Sequence, residues 1–118
     1  MKAIKRFEEY LNDGTAVKQT PNKPRSISLI KEAKKSYKFL LEIITKIDIT
    51  NENANDVIEI CYNIIMKLVR AKMVLDGFSA SGKGAHEAEV SYMRKIGFKE
   101  AEVEFTNQLR YFRNGILY

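Results

Sequence analysis

The sequence predicts an all-α fold: an antiparallel up-and-down four-helix bundle with a short additional N-terminal helix. Three observations predict it. Apolar residues recur only at steps of three and four, the helical period. Two Gly-Phe pairs, Gly77-Phe78 and Gly97-Phe98, stand where such runs stop, because glycine takes the left-handed conformation of a helix end and the next apolar residue folds back on the last turn. The connections between the last three helices are short, which favours antiparallel neighbours.

Each element follows in order. Ile4, Phe7, Tyr10 and Leu11 give a short amphipathic helix over 2–12, stopped by Asn12-Asp13-Gly14. Thr15 to Arg25 holds Pro21 and Pro24 and no apolar period, so it reads as a loop. Helix two is expected to be capped by Ser26 or Ser28. It presents Ile30, Ala33, Tyr37, Leu40, Ile44 and Ile47 on one stripe. Helix three follows an Asn-rich cap at 51–55, with Val57, Cys61, Ile64, Leu68, Ala71 and Leu75 as its stripe. Cys61 on that stripe reads as a buried small apolar residue. A fourth helix covers about 86–96, with Ala88, Tyr92, Met93 and Ile96 inward. A fifth runs from about 99 to the end, with Phe105, Leu109, Phe112 and Ile116 inward. No segment reads as a strand. Tyr118 falls inside that last helix with no Gly, Pro or basic turn to close it, which leaves open a frayed end or a longer natural chain.

Composition bounds the function. With 118 residues, 45% hydrophobic and 30% charged, the chain is expected to form one domain over 1–118. One Cys forbids an internal disulfide. One His and one Cys do not make a structural zinc site, which takes about four such ligands. No apolar run reaches the roughly 18 residues of a membrane span. The start, MKAIKRFEEYLND, lacks the apolar core of a signal peptide. The expected compartment is the cytoplasm, and no cofactor is implied.

The net charge of +5 is uneven. Residues 1–46 hold eleven Lys and Arg against five Asp and Glu, and residues 47–118 hold nine against ten. Lys31, Lys34, Lys35 and Lys38 crowd helix two off its apolar stripe. They suit phosphate contact in RNA, or simply a solvated helix face.

Gly77 to Gly84 matches the phosphate loop G-x-x-x-x-G-K until its last position, where Gly84 replaces the Ser or Thr that holds magnesium. A helix precedes it instead of a strand, so a flexible connection is the better account. Glu100, Glu102 and Glu104 complement the dipole at a helix start. His86 is the only side chain whose ordinary pKa suits proton transfer near neutrality. It stands at the start of helix four, where the positive helix end disfavours its protonation. A lone histidine there is more often structural than catalytic.

The C-terminal run Leu109-Arg110-Tyr111-Phe112-Arg113-Asn114 is the most informative. Arg110 and Asn114, like Asn114 and Tyr118, are four apart and line the edge of the buried face. An arginine fork suits phosphate oxygens. The plain alternative is a polar seam that fixes helix register.

These residues carry a resemblance. Over essentially all 118 residues the chain resembles the HEPN domains, small helical bundles. The matching pieces are Glu9-Tyr10-Leu11-Asn12-Asp13-Gly14 before a proline-containing loop, Ala71 to Phe78 followed by Ala85-His86-Glu87-Ala88, and Leu109 to Asn114. The last is similar to the family's hallmark: Arg, a polar residue such as Asn, then His a few positions on. The resemblance implies a homodimer whose hallmark residues face one cleft, and often a metal-independent ribonuclease toxin partnered by a small nucleotidyltransferase antitoxin. It makes Arg113 the phosphate-stabilising arginine and Asn114 its polar follower. The histidine is expected at about position 118, where this chain has Tyr118. A phenol with an ordinary pKa of about 10 is a poor base at neutral pH, though it still donates a proton.

The expected function is therefore an RNA- or nucleotide-binding and interaction domain. Its binding residues are Arg110, Arg113, Asn114, Lys31, Lys34, Lys35 and Lys38. The alternatives are an active metal-independent ribonuclease, in which Arg113 and Asn114 act with Tyr118 or His86, and a structural helical subunit.

Overall fold

The computed structural model describes residues 2–114, and Ile116 and Tyr118 lie outside them. The chain is mainly helical. Its order is α1 (Phe7–Asn12), β1 (Ala16–Lys18), α2 (Lys23–Lys46), α3 (Ala54–Asp76), β2 (Phe78–Ala80), α4 (Ala85–Tyr92) with a 3₁₀ turn (Met93–Ile96), and α5 (Glu100–Arg113).

Helix α1 starts later than the sequence predicts. Residues 2–5 are not helical, and the carbonyls of Lys2, Ile4 and Lys5 are taken by distant side chains. Arg94 donates to Ile4 and Lys5 at 3.0 and 2.6 Å, and Asn107 donates to Lys2 at 3.1 Å. Asp13 and Gly14 end α1 as expected, with the Asp13 carboxylate accepting from the Thr15 amide at 2.9 Å.

Helix α2 starts earlier than predicted. Asn22, not Ser26 or Ser28, is its cap, accepting from the Arg25 amide at 2.9 Å. Pro24 fits the first turn, where an amide has no partner in any case. Ser26 is buried and donates to the Ala71 carbonyl at 2.7 Å. The Asn22 amide reaches Val74 O at 2.9 Å. The start of α2 thus meets the end of α3, and the two helices are antiparallel.

Helix α3 is central and covered on two sides. Tyr62, Met66, Val69 and Met73 join Phe7, Tyr10, Val90, Met93, Val103 and Leu109 in the main core. Ile64 meets Ala33 and Leu40 of α2 on the other side, with Val57 and Cys61 beside them. The sequence stripes therefore need correction. Tyr37, Ile44, Ile47, Leu68, Leu75 and Phe105 are exposed, and the buried line of α2 runs through Ser26, Leu29, Ala33 and Leu40. Both α2 and α3 carry apolar residues on more than one line, and periodicity does not say which line is covered. Cys61 is half-buried, and burial pushes its thiol above the ordinary value.

The loops predicted over 15–25 and 77–84 contain a two-stranded antiparallel sheet, pairing Ala16 with Ala80 and Lys18 with Phe78. Strands of three residues leave no readable alternation. This sheet also alters the topology. β2 returns the chain along α3 before α4 begins, so Tyr62, Arg70 and Asp76 meet His86, Glu89 and Tyr92 in that order. Helix α4 thus runs in the same sense as α3, where an up-and-down order requires the opposite. Helix α5 does run against α3, since Arg113 sits over Tyr62 while Phe105 and Thr106 lie beside Leu68 and Val69. Among the described residues no helix is long and apolar enough to cross a membrane.

Gly77 closes α3 in the left-handed conformation at φ 88°, as its sequence predicts. An added Cβ would stand 2.8 Å from the Gln19 carbonyl oxygen, whose own amide donates to Gly77 O at 2.9 Å. Gly77→Ala is expected to lower stability by about 1–3 kcal/mol, read as a lower urea midpoint with unchanged slope.

Candidate functional site

Three helices bring charged groups around one buried ring. Tyr62, from the middle of α3, is wholly buried. The Arg113 guanidinium carbon lies 5.6 Å from its ring centroid, and the His86 ring lies 6.3 Å from it at 57°. Arginine over an aromatic face is attracted by the ring quadrupole. Among the described residues the buried Tyr62 hydroxyl has no hydrogen-bond partner. Burial, then the Glu89 charge, pushes its pKa up to about 12 against the pull of Arg110, Arg113 and Arg70.

His86 lies in the first turn of α4. Its Nδ1 is 3.4 Å from Glu89 Oε1, while Glu89 Oε2 accepts from Arg70 Nε at 2.6 Å. Glu89 is buried and His86 is half-exposed. The helix places them together, because residues three apart share a face. Burial lowers the His86 pKa from its ordinary value. Arg70, Arg113 and Arg110 lower it further, and Glu89 opposes them. The direction matches the sequence expectation, but the leading cause is burial, not the helix end.

This direction has a consequence for stability. A histidine harder to protonate when folded contributes stability that is complete above its unfolded value of 6.5 and is lost as pH falls through the lower folded value. Acidification across that window should lower the urea midpoint of the parent chain more than that of His86→Gln.

Arg110 and Arg113 part company. Arg110 is buried. Its Nε donates to Asn107 Oδ1 at 3.1 Å, and its Nη2 lies 3.6 Å from Glu87 Oε1. That last distance is an ion pair but too long for a hydrogen bond, so Nη2 has no hydrogen-bond partner among the described residues. Glu87 also accepts from the Tyr10 hydroxyl at 3.3 Å. Arg110 is thus held inside the bundle by α1, α4 and α5, and is unsuited to the open binding role the sequence suggests. Arg113 is exposed. It makes one long hydrogen bond, 3.5 Å to Asn114 Oδ1, and has no carboxylate partner among the described residues. Asn114 is exposed as the cap of α5.

The structure therefore brings His86 and Arg113 to the same ring and leaves other candidates apart. Lys31, Lys34, Lys35 and Lys38 are exposed on α2. That helix covers the side of α3 carrying Ile64, about 200° round from Tyr62. They do not join the Arg113 group. Tyr118 lies outside the described residues. Tyr62, Arg70, Glu87 and Glu89 escape a sequence reading. Only Glu89 leaves a signal, its three-residue step from His86. Glu100 pairs with Arg94 at 2.6 Å, and Glu102 accepts from the Lys99 amide at 2.8 Å. Among the described residues no three His, Cys, Asp or Glu side chains converge to hold a metal ion.

Comparison of the chain with family models, with curated proteins and with solved structures finds no match.

Proposed function

We propose that this chain is a HEPN-like helical domain that binds RNA or a nucleotide through Arg113 and Asn114. It acts as a homodimer in a toxin–antitoxin or nucleotidyltransferase-associated system. In this reading α2 to α5 are the four helices of the bundle and α1 is its additional leading helix. One observation carries it: Arg113 presents an exposed guanidinium, without a carboxylate partner among the described residues, over the Tyr62 ring beside His86. The contrast with Arg110 supports it. An arginine that only set packing would be held within the bundle, as Arg110 is by a hydrogen bond to Asn107 and an ion pair with Glu87.

A second reading, a metal-independent ribonuclease, is favoured by the carboxylate against His86 Nδ1. A neutral imidazole oriented by a carboxylate accepts a proton at its other nitrogen. In that reaction a ribose 2′-hydroxyl loses its proton to His86 Nε2 as its oxygen attacks the adjacent phosphorus. The bond from phosphorus to the 5′-oxygen breaks and that oxygen takes a proton from solvent water, while Arg113 stabilises the charge on the phosphoryl oxygens. The lowered His86 pKa keeps its base form populated at neutral pH.

Anisotropy with a labelled single-stranded RNA and with a labelled adenine nucleotide tests the binding reading. Saturable binding that weakens with salt and survives a chelator is expected. No binding of either probe at low salt overturns it. Chelator-resistant cleavage that leaves 2′,3′-cyclic ends and is lost in His86→Ala identifies the ribonuclease. Light scattering should give twice the chain mass, and a monomer at high concentration removes the shared cleft.

A further inference from the structure

Helix α2 is 24 residues long, yet among the described residues α3 is the only helix against which it packs extensively. Its buried line runs through Ser26, Leu29, Ala33 and Leu40. One residue further round, about 100° away, Ile27, Tyr37, Leu41 and Ile44 form a second line, all between 41% and 53% exposed. Steps of three and four separate Ile27, Ile30, Lys34, Tyr37, Leu41 and Ile44, the spacing with which one helix seats another, and the line is apolar except at Lys34. On α3, Leu68 stands four positions after the α2-facing Ile64, a rotation of about 40° in the same sense. In an antiparallel pair, rotations of the same sense from the contact line lead to the same side. The α2 line therefore runs onto Leu68, and Leu68 lines an apolar groove of about 490 Å³ with Phe105 of α5. Leu68 and Phe105 are 47% and 55% exposed.

The charge beside this surface selects its occupant. Helix α2 holds seven Lys and Arg against two Glu. Lys31 and Lys38 border this line on the edge away from α3, and Lys34 stands within it. A second copy meeting α2 with α2 would bring like charges together. A bilayer is flat and leaves a groove floored by α3 unfilled. An amphipathic helix fills it, and glutamates on its flank meet the lysines. We propose that this face docks an acidic amphipathic helix of a partner protein, seated along α2 over Leu68 and Phe105. The surface does not use Arg113 or His86.

The test uses the full chain and two designed 20-residue amphipathic peptides with the same leucine stripe, one flanked by Glu and one by Lys. Titration followed by anisotropy should give saturable binding of the Glu peptide, at least about tenfold tighter than the Lys peptide. Leu41→Asp should weaken it by about tenfold or more with an unchanged circular dichroism spectrum. Lys31→Glu/Lys34→Glu/Lys38→Glu should reverse the preference, a gain that a misfolded chain cannot give. Equal binding of both peptides, or of neither, overturns the proposal. So does a homodimer that Leu41→Asp dissociates, or binding to phosphatidylserine vesicles that Leu41→Asp abolishes.

Discussion

Arg113→Ala is expected to weaken binding of a short single-stranded RNA by about 10- to 100-fold. A hydrogen bond to a charged group contributes about 1.5–3 kcal/mol, and each 1.4 kcal/mol is about a factor of ten. Among the described residues Arg113 has no carboxylate to release before it takes a phosphate, so little of that contribution is offset. The slope of log affinity against log salt should fall by about one, since one phosphate contact is lost. Arg113→Lys should keep the slope and recover only part of the affinity, because an ammonium lacks the fork. The urea midpoint of Arg113→Ala should stay near the parent's, whereas Arg110→Ala should lower it, because Arg110 is buried among Asn107, Glu87 and Tyr111. An unchanged RNA affinity in Arg113→Ala would remove this residue from any binding site.

The helices and their stops are readable in the sequence because they rest on local rules. Gly77 and Gly97 both adopt the left-handed conformation at the end of a helical segment. Which face each helix buries is not a local property. Helix α3 shows why: its Ile64 line meets α2 and its Tyr62 line meets the main core, and either alone suffices for an amphipathic helix. The site divides in the same way. Arg113 and His86 are visible as residue types in the sequence. Their common neighbour Tyr62 reads as one more apolar position on α3. The step from Arg110 to Arg113 rotates about 60° short of a full turn. At the edge of a packed face that rotation leaves one guanidinium inside the bundle and the other outside.

Glu89 gives the second large effect. Its neighbours Ala88 and Val90 are fully buried, and its carboxylate is held by Arg70 Nε at 2.6 Å with His86 at 3.4 Å. Arg70→Met removes the strong partner and leaves a carboxylate in the bundle. Loss of one member of a wholly buried pair costs about 3–5 kcal/mol. The Arg70 side chain is 33% exposed, so water reaches part of this pair and about 2–3 kcal/mol is the expected loss. Arg70→Met/Glu89→Leu should regain most of it, because replacing both charges by apolar groups of similar volume is close to neutral. Urea denaturation of the four chains of this cycle measures the coupling directly. Glu89→Leu alone leaves Arg70 able to turn to solvent, so it should cost less than Arg70→Met. If the two single variants lose equal stability and the double variant loses their sum, Glu89 and Arg70 act independently.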